Sequence, residues 1–310
     1  MFDLHRLRLL RELKLRGTLA AVATALAYSP SSVSQQLSQL EREVGVKLLE
    51  PVGRRVRLTA QAEILVGHVE AVLERLERAE AELALSLTEV SGTLRVASFQ
   101  TAALALLPPA LTTVRDTLPR LRVHVTQAEP EEALPALLTH DFDMVLSEEY
   151  PGSPIPRPAE LEQEELCDDP LRLAHPALSP SDSPQEALRS LADRPWVMEP
   201  EGTPARHRAT TLCRDAGFEP DVRFESSDLL LHLRLAERGH AAAMLPDLLW
   251  HGFPPTLPLH DLPYGQHHRK LIIAVRRGGS RHPAVAAFRQ ALQEAVSGRT
   301  PGTNGAPPPG

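Results

Sequence analysis

Residues 29–41 have the hydrophobic and polar pattern of a helix with two distinct faces. Val33, Leu37 and Leu40 are spaced i, i+4, i+7, which predicts one narrow buried stripe. Short polar side chains repeat along another face, at Ser31, Ser34, Gln35 and Ser38. Ser29 is a good N-cap, and Pro30 fits the first turn. Because hydroxyl and amide groups bond base edges and phosphate oxygens, this pattern predicts a DNA recognition helix.

The segments on either side complete a DNA-binding unit. Leucines at helical spacing predict a first helix that ends near Gly17, and Thr18 can cap a second helix over residues 19–27 that is rich in Ala. Helix, small-residue helix, tight turn and polar helix make a helix-turn-helix. Two short extended segments then meet at Gly53, with arginines at Arg54, Arg55 and Arg57. We expect a β-wing whose guanidinium groups reach the DNA backbone or minor groove, rather than a solvated charged hairpin.

Residues 60–90 follow one long helical pattern without proline. Its apolar positions are Leu65, Val69, Val72, Leu76, Ala79, Leu83 and Val90, which have 4-3 spacing. Such a seam is narrower than the face that a helix buries in a globular core. It therefore predicts a dimer-forming linker helix, and the alternative is a helix packed on its own domain.

After Ser91-Gly92 the pattern changes to alternating strands and helices. This alternation predicts an α/β domain with a mainly parallel sheet, divided by a Pro-rich stretch at 151–158. The predicted strands lie at 94–97, 121–125, 142–146, 171–174, 196–198, 222–224, 241–245 and 271–275. A Gly/Pro/Thr-rich tail follows, and we expect it to be disordered.

Composition and charge support this division. The 310 residues carry a net charge of −7, yet residues 1–58 hold ten Lys/Arg against five Asp/Glu. A basic N-terminal block on an acidic body is expected when only one domain meets phosphate. No apolar run has the length of a membrane helix and no signal-peptide core is present, so we expect a cytoplasmic protein that does not contact membranes. Cys167 and Cys213 fit a reduced compartment and leave a regulatory dithiol as a minor alternative.

Four fragments in order resemble the LysR-type transcriptional regulator family over nearly the whole chain. They are Gly17-Thr18-Leu19-x-Ala21-Val22-Ala23, Ser29-x-Ser31-x-Val33-Ser34-x-Gln36-Leu37-x-x-Leu40-Glu41, Gly45-Val46-x-Leu48-Leu49-Glu50 and Gly53-Arg54-x-Val56-x-Leu58-Thr59. The resemblance implies an N-terminal all-α winged helix-turn-helix (1–58), a linker and dimerisation helix (59–90), and a C-terminal α/β two-lobed effector domain like periplasmic binding proteins (91–298). Lobe I would take about 91–162 and 267–298, lobe II about 163–266, and the disordered tail 299–310.

The resemblance also implies partners and DNA contacts. It predicts a sequence-specific regulator, a homodimer or homotetramer, whose output changes when a small effector binds between the lobes; RNA polymerase is a further partner that it admits. The expected DNA-binding residues are Thr18, Pro30, Ser31, Ser34, Gln35, Ser38, Arg54, Arg55 and Arg57. Pro30, Pro51 and Ala62 depart from the residues usual in the family, Gln, Arg and Gly, which puts the operator sequence in doubt more than DNA binding itself.

Effector candidates lie where strands end and helices begin, since free N–H groups and the helix dipole there favour anions. They are Ser98, Phe99, Gln100, Thr101, Ser147, Gly202 and Thr203. Simple helix capping is an equally good interpretation of each. Glu129, Glu148 and Glu199 also end strands near the expected cleft; they suit a cationic or zwitterionic effector, although solvated loop carboxylates are the simpler interpretation.

Other functions have less support in the sequence. The thirteen histidines show neither HxxxH nor Cys/His metal spacing, so we expect no metal or other cofactor. We find no GxSxG, P-loop or GxGxxG, and therefore no catalytic residues. The alternative hypothesis is a solute-binding or enzymatic α/β protein with an N-terminal dimerisation region, for which the Ser/Gln-faced helix would have no use.

Overall fold

A computed structural model describes residues 2–26, 28–53, 55–155, 157–265 and 267–298, with the side chain of Arg55 excepted. The prediction for Arg54 and the predicted disordered tail at 299–310 therefore lie outside the described residues. Of the helices within the described ranges, none combines the length and the apolarity needed to cross a bilayer.

The N-terminal domain is a winged helix-turn-helix. Its elements are α1 (Leu4–Arg16), α2 (Leu19–Ala25), α3 (Pro30–Val44), β1 (Leu49–Val52), β2 (Arg55–Leu58) and α4 (Ala60–Leu85). Ser29 caps α3 by accepting a hydrogen bond from the Ser32 N–H at 3.1 Å, and Pro30 stands in the first turn. Gly45 ends α3 with a φ of +79°, a conformation that glycine adopts without strain.

The first half of α4 belongs to this domain's core. Val66, Val69 and Leu73 are buried with the leucines of α1 and α3, and Leu65 is packed against the same cluster. Of the predicted seam, Val72, Leu76 and Leu83 are exposed, as are Ile64 and Leu87. The predicted 4-3 seam is thus wrong at Leu65 and Val69, because those side chains face the chain's own core, and α4 ends at Leu85 rather than near residue 90.

The C-terminal domain alternates strands and helices. In chain order its elements are β3 (Gly92–Ser98), α5 (Gln100–Ala105), α6 (Leu107–Thr117), β4 (Leu121–Gln127), α7 (Pro130–Leu138), β5 (Met144–Glu149), β6 (Leu161–Ala174), α8 (Pro184–Ser190), β7 (Pro195–Met198), α9 (Pro204–Asp215), β8 (Asp221–Glu225), α10 (Leu229–Glu237), β9 (Ala243–Pro246), β10 (Leu259–Asp261), β11 (His268–Arg276) and α11 (Pro283–Ser297). A 3-10 turn, Asp247–Trp250, follows β9.

Strand β6 connects two lobes. The largest sheet has the order β10-β6-β11-β5-β3-β4, with β9 also on β6. Residues 161–170 of β6 pair with β11, whereas residues 171–174 pair with β9 and β10. We therefore place the division between the lobes at Pro170, since the predicted boundary at 163 falls inside β6.

The sheet is less parallel than the sequence predicts. Strand β3 runs parallel to β4 and β5, and β7 runs parallel to β8. Both long strands at the centre, β6 and β11, pair antiparallel with their neighbours. The prediction failed there because residues 161–170 are largely polar, so no apolar strand pattern marks the first half of β6.

Lobe I contacts the DNA-binding domain through charged and close-packed groups. Arg276 on β11 donates from Nε to Glu77 of α4 at 2.6 Å, and Arg11 of α1 donates to the Leu138 carbonyl at 2.8 Å. Gly278 has a φ of +91°, and a Cβ placed there would lie 2.7 Å from the Glu74 carbonyl oxygen. Only glycine fits this approach between lobe I and α4.

Candidate functional site

Helix α3 exposes the polar face that the sequence predicts. Val33, Leu37 and Leu40 are buried in the domain core. The opposite face is exposed at Pro30, Ser31, Ser34, Gln35 and Ser38. Of these, Ser31 already shares a hydrogen bond with Ser29, at 2.9 Å between the hydroxyl oxygens. Short uncharged donors and acceptors are thereby presented to solvent along one side of the helix.

Two polar residues near this face position helices. Thr18 is half-buried and caps α2, with its Oγ1 accepting a hydrogen bond from the Ala21 N–H at 3.1 Å. Gln36 is half-buried, and its Oε1 accepts from Nε of Arg6 at 2.9 Å, which ties α3 to α1. Capping is therefore the role that the structure gives Thr18.

The wing is anchored to α3 by Glu41. One carboxylate oxygen accepts hydrogen bonds from the backbone N–H groups of Leu48 and Leu49, at 2.9 and 3.1 Å. Although burial opposes ionisation, these bonds hold the pKa of Glu41 below its usual value. Arg57 is exposed and forms a 2.6 Å ion pair with Glu50. Arg55 lies in β2 opposite Val52.

Arg269 is the centre of the cleft between the lobes. Its guanidinium is 1% exposed and donates to Asp169 from Nε at 3.0 Å and from Nη2 at 2.8 Å. Further hydrogen bonds go to Glu148 and Thr101. Burial opposes the positive charge, but Glu148 and Asp169 hold the pKa of Arg269 above its usual range. The guanidinium therefore stays charged.

The predicted residues of the first lobe surround this arginine. The ring of Phe99 lies under the guanidinium, with its centroid 5.1 Å from Cζ, and Thr101 accepts from Nη2. Ser98 is buried and donates to the Phe99 carbonyl at 3.2 Å. Ser147 is fully buried in β5, and its Oγ has no hydrogen-bond partner among the described residues.

Gln100 crosses from one lobe to the other. Its side-chain Nε2 donates to Asp228 at 2.7 Å, and its Oε1 accepts from the Leu229 N–H at 2.9 Å. Asp228 is the N-cap of α10 in lobe II. This amide therefore joins the first turn of α5 to the start of α10 and spans the cleft.

The second-lobe candidates lie at a different place. Gly202 and Thr203 line a wide depression of about 500 Å³ at the start of α9, with Arg206, His207 and Arg214. Thr203 caps α9 by accepting from the Arg206 N–H at 3.2 Å, and its hydroxyl donates to the Pro200 carbonyl at 2.9 Å. The structure thus gives Thr203 a capping role, as the alternative interpretation expected.

The three glutamates that end strands near the cleft have different surroundings. Glu148 bonds Arg269 directly, so the interpretation as a solvated loop carboxylate is wrong for it. Burial raises the pKa of Glu199 to about 8, and the charge of Glu148 contributes to the rise. Burial and the same charge raise the pKa of Glu129 at the start of α7. Burial and neighbouring negative charge therefore favour the protonated form of Glu129 and Glu199.

A small cavity of about 40 Å³ lies beside Glu199 in lobe II. Most of its lining is apolar, and the polar members are Tyr150, Glu199, Arg208 and His232. His232 bonds the Ser226 carbonyl at 2.7 Å, and burial lowers its pKa. Arg208 contacts His267 through Nη2 at 2.6 Å, whereas its Nε is buried without a hydrogen-bond partner among the described residues.

Sequence reasoning missed Asp169, Arg269 and Tyr150. Asp169 and Arg269 are partners in the register of β6 and β11, one hundred positions apart. The available signal was a charged residue next to an apolar strand, as in Arg269-Lys270-Leu271-Ile272. It does not tell which distant carboxylate lies opposite, so the pair could not be predicted.

The described residues that could bind a metal or react as thiols are the histidines, the acidic residues and the two cysteines. Within the described ranges, no group of three or more His, Cys, Asp or Glu side chains is arranged to hold a metal ion. Cys167 packs against the lobe I core and Cys213 is buried in a lobe II cluster. Burial raises the pKa of Cys213 to about 12, which disfavours its reactive thiolate.

Family models match both domains. Residues 4–63 match a bacterial regulatory helix-turn-helix protein model of the lysR family, and residues 87–297 match a LysR substrate binding domain. The chain is 25% identical over 245 residues to the transcriptional dual regulator GltC of Bacillus subtilis, covering 79% of this chain and 81% of GltC. It is 26% identical over 288 residues to the DNA-binding transcriptional dual regulator OxyR of Escherichia coli, covering 88% of each.

Solved structures share the fold over almost the full length. A full-length OxyR variant from Pseudomonas aeruginosa has a TM-score of 0.65 at 20% identity and covers 99% of both chains. Full-length CbnR complexed with its target DNA has a TM-score of 0.53 at 22% identity, covering 95% of this chain and 99% of CbnR. At these identities the likeness concerns the fold alone.

Proposed function

The chain belongs to the LysR family of transcriptional regulators, with a helix-turn-helix domain that binds DNA and a C-terminal domain that binds an effector. From this premise we propose that the exposed face of α3 reads operator bases while the wing arginines anchor the DNA backbone. A small molecule between the lobes then sets the output. The protein acts in the cytoplasm, and the proposal assigns it no catalytic step.

One observation carries the DNA-reading part of the proposal. The buried stripe of α3 fixes the helix on its domain, so the face with Ser34, Gln35 and Ser38 points away from the core and is exposed. If this face only had to keep the protein in solution, charged side chains would serve better than uncharged hydroxyl and amide groups. They are suited to base edges in the major groove, where Gln can bond adenine and Ser can bond several bases.

The exposed part of the α4 seam supports assembly of two copies. Val72, Leu76 and Leu83 recur every four or seven residues and are 46%, 41% and 69% exposed. Large apolar side chains in a row on one helix are typical of a helix–helix contact. We propose that this stripe, rather than the seam through Leu65 and Val69, joins the protomers of a dimer that presents two α3 helices to two half-sites.

A small ligand, rather than an oxidant, fits the C-terminal domain. Some relatives are named hydrogen peroxide-inducible genes activators. In this chain, Cys213 is buried with a pKa raised to about 12, and Cys167 is partly buried against the core of the other lobe. Because oxidation needs an accessible thiolate and the two thiols lie in different lobes, we propose that Cys213 does not sense peroxide and that the two cysteines do not form a regulatory dithiol.

The experiment that tests the function is a gel shift with DNA flanking the protein's own gene. We expect specific binding that weakens steeply with salt, because released counterions contribute to affinity. The Arg54→Ala/Arg55→Ala double variant should weaken binding to all sequences. It should also lower the slope of log K against log salt concentration, by the equivalent of up to about two phosphate contacts. Arg223→Ala, which removes an exposed arginine from β8 in lobe II, is the matched control and should bind normally. Absence of salt-sensitive binding to this or any genomic fragment would refute the regulator function.

A further inference from the structure

We propose that Arg276 and Arg11 are positioning residues that fix the DNA-binding domain to lobe I, so that the two move as one body. The separation and orientation of the two α3 helices in a dimer are then set through lobe I rather than by a hinge after α4. This inference rests on the proposed function of α3 as the operator-reading helix of a dimer.

Arg276 is bonded to both domains. Its Nε donates to Glu77 of α4 at 2.6 Å, and both side chains are 13% exposed. Its Nη1 donates to the carbonyl oxygens of Leu137 and Phe142, and its Nη2 donates to Asp143 at 3.2 Å. These last three partners belong to lobe I. They fix the guanidinium within that lobe, so the bond to Glu77 anchors α4 to a group that is itself held in place.

The bond to Glu77 acts on the whole DNA-binding domain because α4 is continuous. The helix runs from Ala60 to Leu85 without proline, and Leu73, one turn before Glu77, is buried in the core of the DNA-binding domain. His140, in the turn after α7, adds a second contact from lobe I, with its Nδ1 3.3 Å from the same carboxylate oxygen. Lobe I therefore holds the helix that the DNA-binding domain is packed on.

Arg11 makes a separate contact from α1. Its side chain is 6% exposed, and its Nη1 donates to the Leu138 carbonyl at the end of α7, at 2.8 Å. Leu15, one turn further along α1, packs on the apolar cluster of lobe I that contains Leu138. Arg16 lies 3.4 Å from Asp141. A single contact would act as a pivot, whereas contacts from both α1 and α4 restrain rotation as well as separation.

The backbone is fitted to the same arrangement. Gly278, two residues after Arg276, has a φ of +91°, and a Cβ there would lie 2.7 Å from the Glu74 carbonyl oxygen of α4. Its N–H donates to Glu162 of β6 at 2.8 Å, which fixes the turn on lobe I. No flexible side chain separates the two main chains at this point. Such close packing is typical of a fixed interface rather than a hinge.

The body formed in this way also carries part of the cleft. Strand β11 holds Arg269 near its start and Arg276 at its end, and it is paired with β5 on one side and β6 on the other. Seven residues of strand span roughly 23 Å. A displacement at Arg269 therefore reaches α4 through a paired strand, without passing through the irregular segment at residues 86–91.

Operator spacing tests the positioning role in the full-length protein. The DNA is the fragment bound in the gel shift, with its half-sites mapped by footprinting and two base pairs inserted between them, which rotates one half-site by about 70°. The parent protein should bind the altered fragment roughly a hundredfold or more weakly, since it cannot engage both half-sites together. In Glu77→Ala and Arg11→Met this loss should shrink to about tenfold or less. A single half-site should bind alike to all three proteins.

Two exposed positions provide matched controls. Glu82→Ala removes an exposed glutamate from the same helix, and Arg115→Met removes an arginine that is 71% exposed on α6. Both should discriminate against the altered spacing as strongly as the parent protein does. Glu77→Ala cuts only the bond between the domains, because Arg276 keeps its partners in lobe I. If this variant folds poorly, Arg11→Met gives the answer from the other contact.

A double-mutant cycle tests the interdomain contact without DNA. Urea unfolding of the parent protein, Glu77→Ala, Arg276→Met and the double variant measures the coupling between the two side chains. We expect the double variant to change the unfolding constant by at least about twofold less than the product of the two single effects.

Three results would overturn the inference: independent effects in the cycle, a parent protein that binds both spacings alike, or an undiminished spacing preference in both Glu77→Ala and Arg11→Met. The outcomes remain distinct from those of the proposed function. Salt-sensitive DNA binding with an undiminished preference in both variants refutes only the positioning role. A coupled cycle without any DNA binding refutes the regulator function and leaves the contact between the domains established.

Discussion

Helix α3 presents its polar side chains to solvent, whereas the polar side chains around Arg269 are buried and bonded to one another. Ser34, Gln35 and Ser38 are exposed and uncharged. In the cleft, a 1% exposed guanidinium and a fully buried carboxylate are linked by two hydrogen bonds. The exposed face of α3 leaves its hydrogen-bond donors and acceptors free for a partner, whereas the cleft uses most of its own in internal hydrogen bonds.

This difference separates two ways to recognise a ligand. A duplex brings its own charge and many polar edges, so a recognition helix needs exposed groups in register and little preorganisation. A small ligand offers few contacts, so the cleft must fix the position of each group before binding. The charge pattern follows the same division: the DNA-binding block carries a net positive charge, whereas the cleft pairs the guanidinium of Arg269 with the carboxylates of Glu148 and Asp169.

Removing the internal hydrogen bonds and ion pairs of the cleft should lower the free energy of unfolding more than any other change proposed. Arg269→Met leaves Asp169 and Glu148 buried without their cation, and we expect a loss of about 3–5 kcal/mol in the free energy of unfolding. Urea unfolding of the full-length protein measures it. Arg157→Met is the control, because Arg157 is 60% exposed and its 3.3 Å pair with Glu149 should contribute at most about 1 kcal/mol. Equal effects of the two variants would show that the Arg269 network does not hold the cleft.

Much of the fold follows from local patterns. The 3.6-residue period and the caps at Ser29 and Gly45 mark α3 in the sequence, and the recognition face could be predicted because all its residues lie on one helix. The cleft could not be predicted in the same way. Arg269 donates a hydrogen bond to Thr101, which lies 168 positions away in the sequence, and no periodicity in the sequence relates the two residues. Phe99 and Thr101 were found only because a strand end next to a helix start marks cleft positions in α/β folds.

On the DNA-binding side, the partly buried carboxylate of Glu41 holds the start of the wing against α3. Glu41→Ala leaves the N–H groups of Leu48 and Leu49 without their acceptor, and we expect a loss of about 2–3 kcal/mol with weaker DNA binding. Because its folded pKa lies below the ordinary value of 4.5, Glu41 stabilises the fold above that pH and loses its contribution as pH falls through the folded value. Melting temperatures from pH 3 to 7 measure this. Glu41→Gln keeps a hydrogen-bond acceptor, so its free energy of unfolding should fall less than that of Glu41→Ala. If both variants lose the same free energy, the hydrogen bonds to Leu48 and Leu49 do not account for the loss.

The exposed face of α3 should govern specificity rather than stability. Gln35→Ala should lower discrimination at particular base pairs by about 1–3 kcal/mol if its amide bonds a base bidentately. The melting temperature should not change, since Gln35 is exposed on the face of α3 opposite the core. Competition gel shifts with single-base operator variants measure the discrimination. The Arg54→Ala/Arg55→Ala variant should instead weaken binding to all DNA sequences alike. If this variant and Gln35→Ala change binding in the same way, the division into reading and anchoring residues is refuted.

The smallest effect should be a pH dependence that belongs to the cleft alone. Burial raises the pKa of Glu199 from 4.5 to about 8, and the negative charges of Glu148 and Glu129 add to the rise while Arg269 opposes it. The unfolded chain releases this proton above pH 4.5 while the folded chain retains it, so stability falls as pH rises from 4.5 to about 8.

Glu199→Gln cannot ionise and should lack this fall. Its melting temperature should exceed that of the parent protein at pH 8, with a difference that shrinks toward pH 4.5. Glu201→Gln, on the exposed turn, should follow the parent at every pH. A difference that stays constant with pH would contradict the raised pKa. The five α3 residues proposed to meet DNA are Pro, Ser and Gln, none of which titrates in this range, so a pH response of these residues must come from elsewhere in the molecule.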